Sequence, residues 1–296
     1  MKVIYYQDPR GNFGDELNRW LWPKVFGDAI TGFGHHGKET RAEYATEDLL
    51  FYGIGTILDD RIPLQPEKII FGSGFGYGDK LQKLDNARVF FVRGSRTAKV
   101  LGLGPDKALT DPAILLRRFF PLVMESDKQH DISFMPHHSS VSGNYWRKAC
   151  DELGIHYIDP RETDIEMVIR EISGSRLVIA EAMHGAIVAD TFRVPWIAVS
   201  SVAETNNFKW QDWCGTLGLS YAPVRFTPIF PDAGNRPWKK WLNAIKQMMR
   251  KRQMASVVKS RYMGRLSEDS LLEAHREEMD RRVQELQDYL KERGRA

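Results

Sequence analysis

Short runs of consecutive apolar residues alternate with stretches of helical spacing over most of the chain. Residues 2–6 read as a buried strand, followed by the turn Asp8-Pro9-Arg10-Gly11-Asn12-Phe13-Gly14 and a helix over about 15–26. Apolar runs at 49–52, 68–71 and 88–92 each lead into glycine turns: Gly53-Ile54-Gly55, Gly72-Ser73-Gly74-Phe75-Gly76-Tyr77-Gly78 and Arg93-Gly94, the last opening a helix to about Leu101. The pattern restarts after a junction at about 123–129. Strands are expected at 131–135, 155–158, 177–180 and 196–199, with helices at 144–153, 163–172 and 183–192. Strands alternating with helices through tight connections predict parallel α/β units, whose ligands sit at the carboxyl ends of the strands.

The character changes beyond Pro237. Trp238, Trp241, Leu242, Ile245, Met248 and Met249 recur at the spacing of one helical face over about 236–253. The last stretch, 268–293, sets Leu272, Met279, Val283, Leu286 and Leu290 among many charges. It reads as a solvated helix docking one stripe on the body. The expected organisation is therefore a first unit at 1–125, a second at 126–235, a basic amphipathic segment at 236–266 and a terminal helix at 267–296.

Charge sharpens this picture. The chain of 296 residues carries a net charge of +3, but residues 233–267 hold ten Lys or Arg and no Asp or Glu, so the remainder sums to −7. Such asymmetry points to an anionic partner, nucleic acid or an anionic membrane. Composition adds mainly exclusions. With 42% hydrophobic and 27% charged residues the chain is globular, not disordered or low-complexity. Cys150 and Cys214 are the only cysteines, too few for a disulfide framework or a cysteine-built zinc site. The first residues meet charges early, unlike a signal peptide, and no apolar run approaches the ~18 residues of a spanning helix. A reduced, cytosolic protein is expected.

Among motifs, no nucleophile elbow, P-loop or HExxH occurs. The glycine run at 72–78 lacks dinucleotide spacing and fits sharp turns after a strand. His35-His36 and His137-His138 resemble ligand pairs, but adjacent residues in a strand point to opposite faces, so no metal site is expected. Two places carry more. Asn12 to Asn18 follows the first strand and aims a helix N-terminus above the sheet; Asn12 or Asp15 can equally be a simple N-cap. Glu181-Ala182-Met183-His184-Gly185 puts Glu181 at a strand's carboxyl end and His184 in the first turn of a helix, where an anionic ligand is favoured. A lone histidine there can also be a satisfied core residue.

Taken in order, Asn12-x-Gly14-Asp15, Gly72-Ser73-Gly74, Val92-Arg93-Gly94, Asp111-Pro112-Ala113, Met183-His184-Gly185 and Asn207-Phe208-Lys209 before Leu217-Gly218-Leu219 resemble the polysaccharide pyruvyl transferase family. The resemblance spans about residues 1–223. It implies a glycosyltransferase-B-like α/β fold, two Rossmann-like domains facing across a cleft with C-terminal helices added. It also implies phosphoenolpyruvate as donor, a sugar diol as acceptor and no cofactor. Many members carry an arginine two residues before the histidine; this chain has Ala182.

On that resemblance the catalytic candidates are His184 as general acid/base, with Glu181 and Asp15 as partners. Arg93, Lys209, Gly74 and Arg193 are expected to bind the donor, and Asn12, Gly14 and His137 the acceptor. The acceptor is expected to be a lipid-linked exopolysaccharide unit. Trp238, Lys239, Lys240, Trp241, Ile245 and Met249 are then expected to seat the enzyme on the inner face of the cell membrane. Two rivals stand beside this reading: a nucleotide-sugar glycosyltransferase of the same fold, and a non-enzymatic scaffold that binds nucleic acid.

Overall fold

The computed structural model describes residues 1–77, 84–141, 143–201, 206–230 and 236–294. Gly78, the last residue of the glycine run, and the boundary expected at residue 235 lie outside them. The chain divides into two compact units that interleave along the sequence. The first holds 1–121, 206–221 and 267–296; the second holds 122–205 and 222–266.

The first unit is built on β1 (Lys2–Tyr5), β2 (Gly32–His35), β3 (Leu49–Tyr52), β4 (Glu67–Phe71) and β5 (Ala87–Phe91), all parallel in the order β2-β1-β3-β4-β5. Helices α1 (Phe13–Phe26) and α2 (Thr40–Glu43) lie in its connections, and α3 (Ser95–Leu101) follows β5. In the second unit, β6 (Ser133–Met135), β7 (His156–Tyr157), β8 (Val178–Ala180), β9 (Trp196–Ser200) and β10 (Val224–Arg225) form another all-parallel sheet, in the order β10-β9-β8-β6-β7. Helices α4 (Tyr145–Leu153), α5 (Ile165–Ser173) and α6 (Met183–Thr191) belong to it. Counted within each unit, both sheets follow 2-1-3-4-5. Each reverses direction beside its first strand, and ligands of such sheets bind beyond the strand ends at that reversal. The expected α/β class and its two parallel sheets are thus present.

The remaining helices are α7 (Asn207–Thr216), α8 (Pro237–Lys259) and α9 (Asp269–Glu292). Both α7 and α9 return to the first unit, so contiguous segments do not describe the units. On α9 the stripe Leu272, Met279, Val283, Leu286 and Leu290 is buried. Strand β2 escaped the hydrophobic pattern because Gly-Phe-Gly-His has no apolar run. It forms by pairing along the whole of β1, from Lys2 with Gly32 to Tyr5 with His35.

A buried ion pair holds α7 to the first sheet. Asp212 on α7 accepts from the Thr97 amide at 3.0 Å and the Thr97 hydroxyl at 2.6 Å, capping α3 from outside. Its carboxylate lies 3.5 Å from the guanidinium of Arg93, and both side chains are fully buried. Arg93 also donates to Thr56 Oγ1 at 2.9 Å and to the Phe75 carbonyl. Gly74 makes room for it, since a Cβ there would meet the guanidinium at 2.3 Å. Removing one partner of a buried pair leaves the other charge stranded. Asp212→Ala should therefore lose about 3–5 kcal/mol of stability in urea unfolding, and an unchanged midpoint would show that the pair does not hold α7.

A second buried cluster makes the first unit pH-sensitive. His36 Nε2 lies 3.2 Å from Asp59, which also takes the guanidinium of Arg61. Burial pushes the His36 imidazole below the ordinary histidine value, with Asp59 opposing. Burial would raise the Asp59 carboxyl, but hydrogen bonds from His36 and Arg61 outweigh it and hold it at about 2. Below the ordinary histidine value the unfolded chain takes up a proton that folded His36 refuses, so stability falls as pH drops. The Asp59 contribution is present above the ordinary carboxyl value and is lost as pH falls toward about 2. Thermal midpoints should decline between about pH 7 and pH 5.5, a limb that His36→Gln should flatten.

Candidate functional site

The reversal point of the second sheet gathers Glu181, His184 and His137. It lies beyond the carboxyl ends of β6 and β8. From β6 the chain passes through Pro136 to His137, and from β8 it passes through Glu181 and Ala182 into α6. Glu181 is buried, and both of its carboxylate oxygens are taken. Oε1 accepts from the Ser201 amide and hydroxyl, each at 2.6 Å, and Oε2 accepts from the His137 amide at 3.0 Å. One carboxylate thereby ties the ends of β6, β8 and β9 together. Ser201 in turn gives its carbonyl to Arg250 of α8 at 2.7 Å. Arg250 is 2% exposed, and it also donates to the Thr227 carbonyl at 2.7 Å.

This gives Glu181 a positioning place, with its lone pairs committed to neighbouring strands. His184 sits half-buried in the first turn of α6. The N-cap of that helix is Ala182, whose side chain can accept no hydrogen bond. The positive end of the helix dipole, with an imidazole in its first turn, is suited to an anion. Gly185 lets α6 approach β6 closely, since a Cβ there would come within 2.8 Å of Met135 Sδ.

His137 joins this end of the sheet through its backbone. Its ring nitrogen Nδ1 lies 2.7 Å from Ser139 Oγ, and its ring is 4.3 Å from that of His138. The expectation that the two rings point to opposite faces fails because they sit in a turn after β6, not in a strand. Among the described residues no group of three or more His, Cys, Asp or Glu could hold a metal ion.

In the first unit, Asn12, Gly14 and Asp15 lie at the corresponding reversal point, after β1 and at the start of α1. Asn12 occupies the N-cap position but accepts from no helix amide; its side-chain amide donates to the Asp15 carboxylate. The simple N-cap reading of Asn12 is therefore replaced by an Asn12–Asp15 pair at the helix mouth. Asn18, one turn on, accepts from the Ile54 amide at 3.0 Å and donates to its carbonyl at 2.9 Å, fixing α1 against the end of β3. Lys209, half-buried near the start of α7, holds its ammonium 5.7 Å from the Tyr77 ring.

Three donor-binding expectations meet different surroundings. Arg93 is fully buried against Asp212, Thr56 and Phe75, so its guanidinium serves the packing of the first unit. Gly74 is the space that seats it. Arg193 has a left-handed backbone (φ 58°) at the far end of α6 and turns its guanidinium back toward Asp190 of the same helix. At 1.5 Å per residue it is roughly 13 Å along the axis from His184. Sequence order brought these residues near the motifs, but the side chains go elsewhere. Conversely, Ser201, Arg250 and Asp212 carry the supporting network and had no motif to mark them.

A model of the polysaccharide pyruvyl transferase family matches residues 12–201. The chain belongs to that family. The match begins at Asn12 and ends at Ser201, so it takes in the Asn12–Asp15 pair and the Glu181 bonds to His137 and Ser201. The chain is also 41% identical over 228 residues to the succinoglycan biosynthesis protein ExoV of Rhizobium meliloti (strain 1021), covering 76% of this chain and 67% of that protein. Lys209 and Asp212, α8 and α9 lie beyond the family match.

The Glu181 network yields a direct test. In a Glu181→Gln variant an amide NH₂ must face either the His137 amide or the Ser201 donors, and Arg250 loses its nearby anion. A donor set against a buried donor should cost on the order of 2–4 kcal/mol in urea unfolding. A variant as stable as the parent would show that the carboxylate does not tie the strand ends.

Proposed function

We propose that the protein forms a pyruvate ketal on a sugar of a lipid-linked exopolysaccharide repeat unit, taking pyruvate from phosphoenolpyruvate. Family membership supports pyruvyl transfer, and the likeness to a succinoglycan biosynthesis protein supports an exopolysaccharide acceptor. The observation that carries the chemical reading is the start of α6: an alanine-capped helix N-terminus beside His184, at the carboxyl end of a parallel sheet. That arrangement suits a donor bearing phosphate and carboxylate. We read the two units as the halves of a glycosyltransferase-B-like fold, on the ground that they share one strand order.

The proposed chemistry balances as follows. Carbon 3 of the donor gains a proton and becomes a methyl group. Carbon 2 forms bonds to two sugar oxygens, and its bond to the phosphate oxygen breaks, the electron pair leaving with phosphate. Of the two hydroxyl protons released, one replaces the proton spent at carbon 3 and the other leaves on phosphate. His184 is assigned the proton delivery, favoured by the positive end of the α6 dipole toward an anionic donor, and Lys209 is assigned a donor anion. Asp15, positioned by Asn12 beside Gly14, is assigned an acceptor hydroxyl, and His137 a second acceptor contact. Glu181 is assigned the positioning of the His137 and α6 turns. The acceptor's lipid carrier places the work at the inner face of the cell membrane.

A His184→Ala variant should keep its thermal midpoint yet lose about 10²-fold or more in phosphate release from phosphoenolpyruvate with a lipid-linked glycan. Near-normal turnover would transfer the proton role to Asp15. If the parent protein instead shows a thermal shift and turnover only with a sugar nucleotide, the glycosyltransferase reading replaces this one.

A further inference from the structure

Helix α8 docks on the second unit by its polar side. Asn243 exchanges two hydrogen bonds with the Phe230 backbone, at 2.9 and 3.0 Å. Gln247 gives its carbonyl to Tyr145, and Gln253 accepts from the Thr227 amide. Arg250, Met254 and Val257 are buried. The apolar residues of the first three turns point the other way. Trp238 and Trp241 are 55% and 65% exposed, and Ile245, Met248 and Met249 are exposed with them. At about 100° per residue, the stripe through Trp238, Trp241, Ile245 and Met249 lies nearly opposite Asn243, Arg250 and Met254. Two tryptophans and two methionines on one outward face form a patch that a soluble surface rarely carries.

The charge around this patch is of one sign. Residues 233–267 contain no Asp or Glu. Part of the basic run serves the fold: Arg250 is buried, Lys251 pairs with Glu152 and Arg261 with Asp131. Arg236, Lys240, Arg252 and Lys259 are exposed on the same helix or at its start, and Lys246 and Lys239 lie over the Phe230 ring beside Trp238. Tryptophan at the rim of an apolar stripe flanked by cations suits the boundary between headgroups and acyl chains.

We propose that the outward face of α8 is a docking surface for an anionic lipid bilayer, with Trp238, Trp241, Ile245, Met248 and Met249 inserted at the headgroup boundary and Arg252 and Lys259, which share that side of the helix, against lipid phosphates. The occupant is fixed by the combination of features. Nucleic acid accounts for the cations but not for five exposed apolar side chains. A second copy of the chain would bring the same cations together. An anionic bilayer answers both. The proposal deepens the membrane-facing part of the proposed function, but α8 lies beyond the family match and its docking is read without turnover. Failure of pyruvyl transfer and failure of this surface are therefore separate results.

The test is co-sedimentation of the full chain with phosphatidylcholine vesicles containing either no anionic lipid or about 30 mol % phosphatidylglycerol. The parent should pellet with the anionic vesicles, and less so at about 0.5 M salt. A Trp238→Glu, Trp241→Glu variant should bind about tenfold or more weakly, with an unchanged thermal midpoint because both side chains are exposed. Arg252→Glu, Lys259→Glu should weaken binding and remove its salt dependence. Three results would each overturn the proposal. The parent staying in the supernatant with anionic vesicles at low salt is the first; equal pelleting of parent and tryptophan variant is the second. The third is salt-sensitive capture of duplex DNA, or self-association, that outlasts loss of vesicle binding.

Discussion

A buried carboxylate with both its oxygens hydrogen-bonded is the constraint on which the second unit turns. Glu181 follows β8 directly, and its three hydrogen bonds draw in the chain after β6 and the chain after β9. Parallel strands are joined through the backbone only along their length; where they end, loops are free to diverge. A charge that must be satisfied in a low-dielectric setting removes that freedom. The start of α6, two residues on, inherits the fixed geometry, and so does His184. Arg250 supplies the nearby cation and takes the Ser201 carbonyl, so the same network that shapes the sheet end also sets the rotation of α8.

The first unit solves the same problem differently. There the knot joins Arg93 at the end of β5 to Asp212 on α7, with Gly74 giving the guanidinium its space. The first three residues of the glycine run serve packing: Gly72 takes a positive φ of 100° beneath Pro112, Ser73 bonds the Gly53 carbonyl at 2.5 Å, and Gly74 seats Arg93. The mouth of this unit, at Asn12 and Asp15, is left polar and half-buried. Both units thus place rigid ionic groups behind their strand ends and leave a helix start in front. Binding groups held by a locked support keep their aim.

Much of the fold was legible because apolar runs and helical spacing report local burial. The central strands and the helices α1 and α6 followed from that signal alone. Strand β2 did not, since its formation depends on pairing with β1 and not on its own side chains. The return of α7 and α9 to the first unit was equally hidden, because Asp212 and Thr97 are 115 residues apart and nothing local marks the pair. In the site, His184 and Asn12–Asp15 were readable from their places after strands. Arg93 and Arg193 were misplaced because a motif gives sequence position, whereas a long side chain reaches whatever anion or carbonyl its turn presents. For Arg93 that is Asp212; for Arg193 it is the end of its own helix.

Helix α8 shows how the two kinds of information have to be combined. Periodicity identified its apolar stripe, and an apolar stripe ordinarily marks the side that packs inward. Helix α8 departs from that ordinary pattern: the inward side is held by Arg250, Asn243 and Gln253 through backbone carbonyls and amides, and the tryptophans face out. Polar docking of this kind is directional, since each hydrogen bond fixes an angle that an apolar contact leaves loose. Slippage by one residue would turn the helix by about 100° and strand a buried guanidinium. The Arg250 contacts to Thr227 and Ser201 therefore do more than attach α8. They specify which side is exposed, and they bind that choice to the same serine that Glu181 holds at the end of β9.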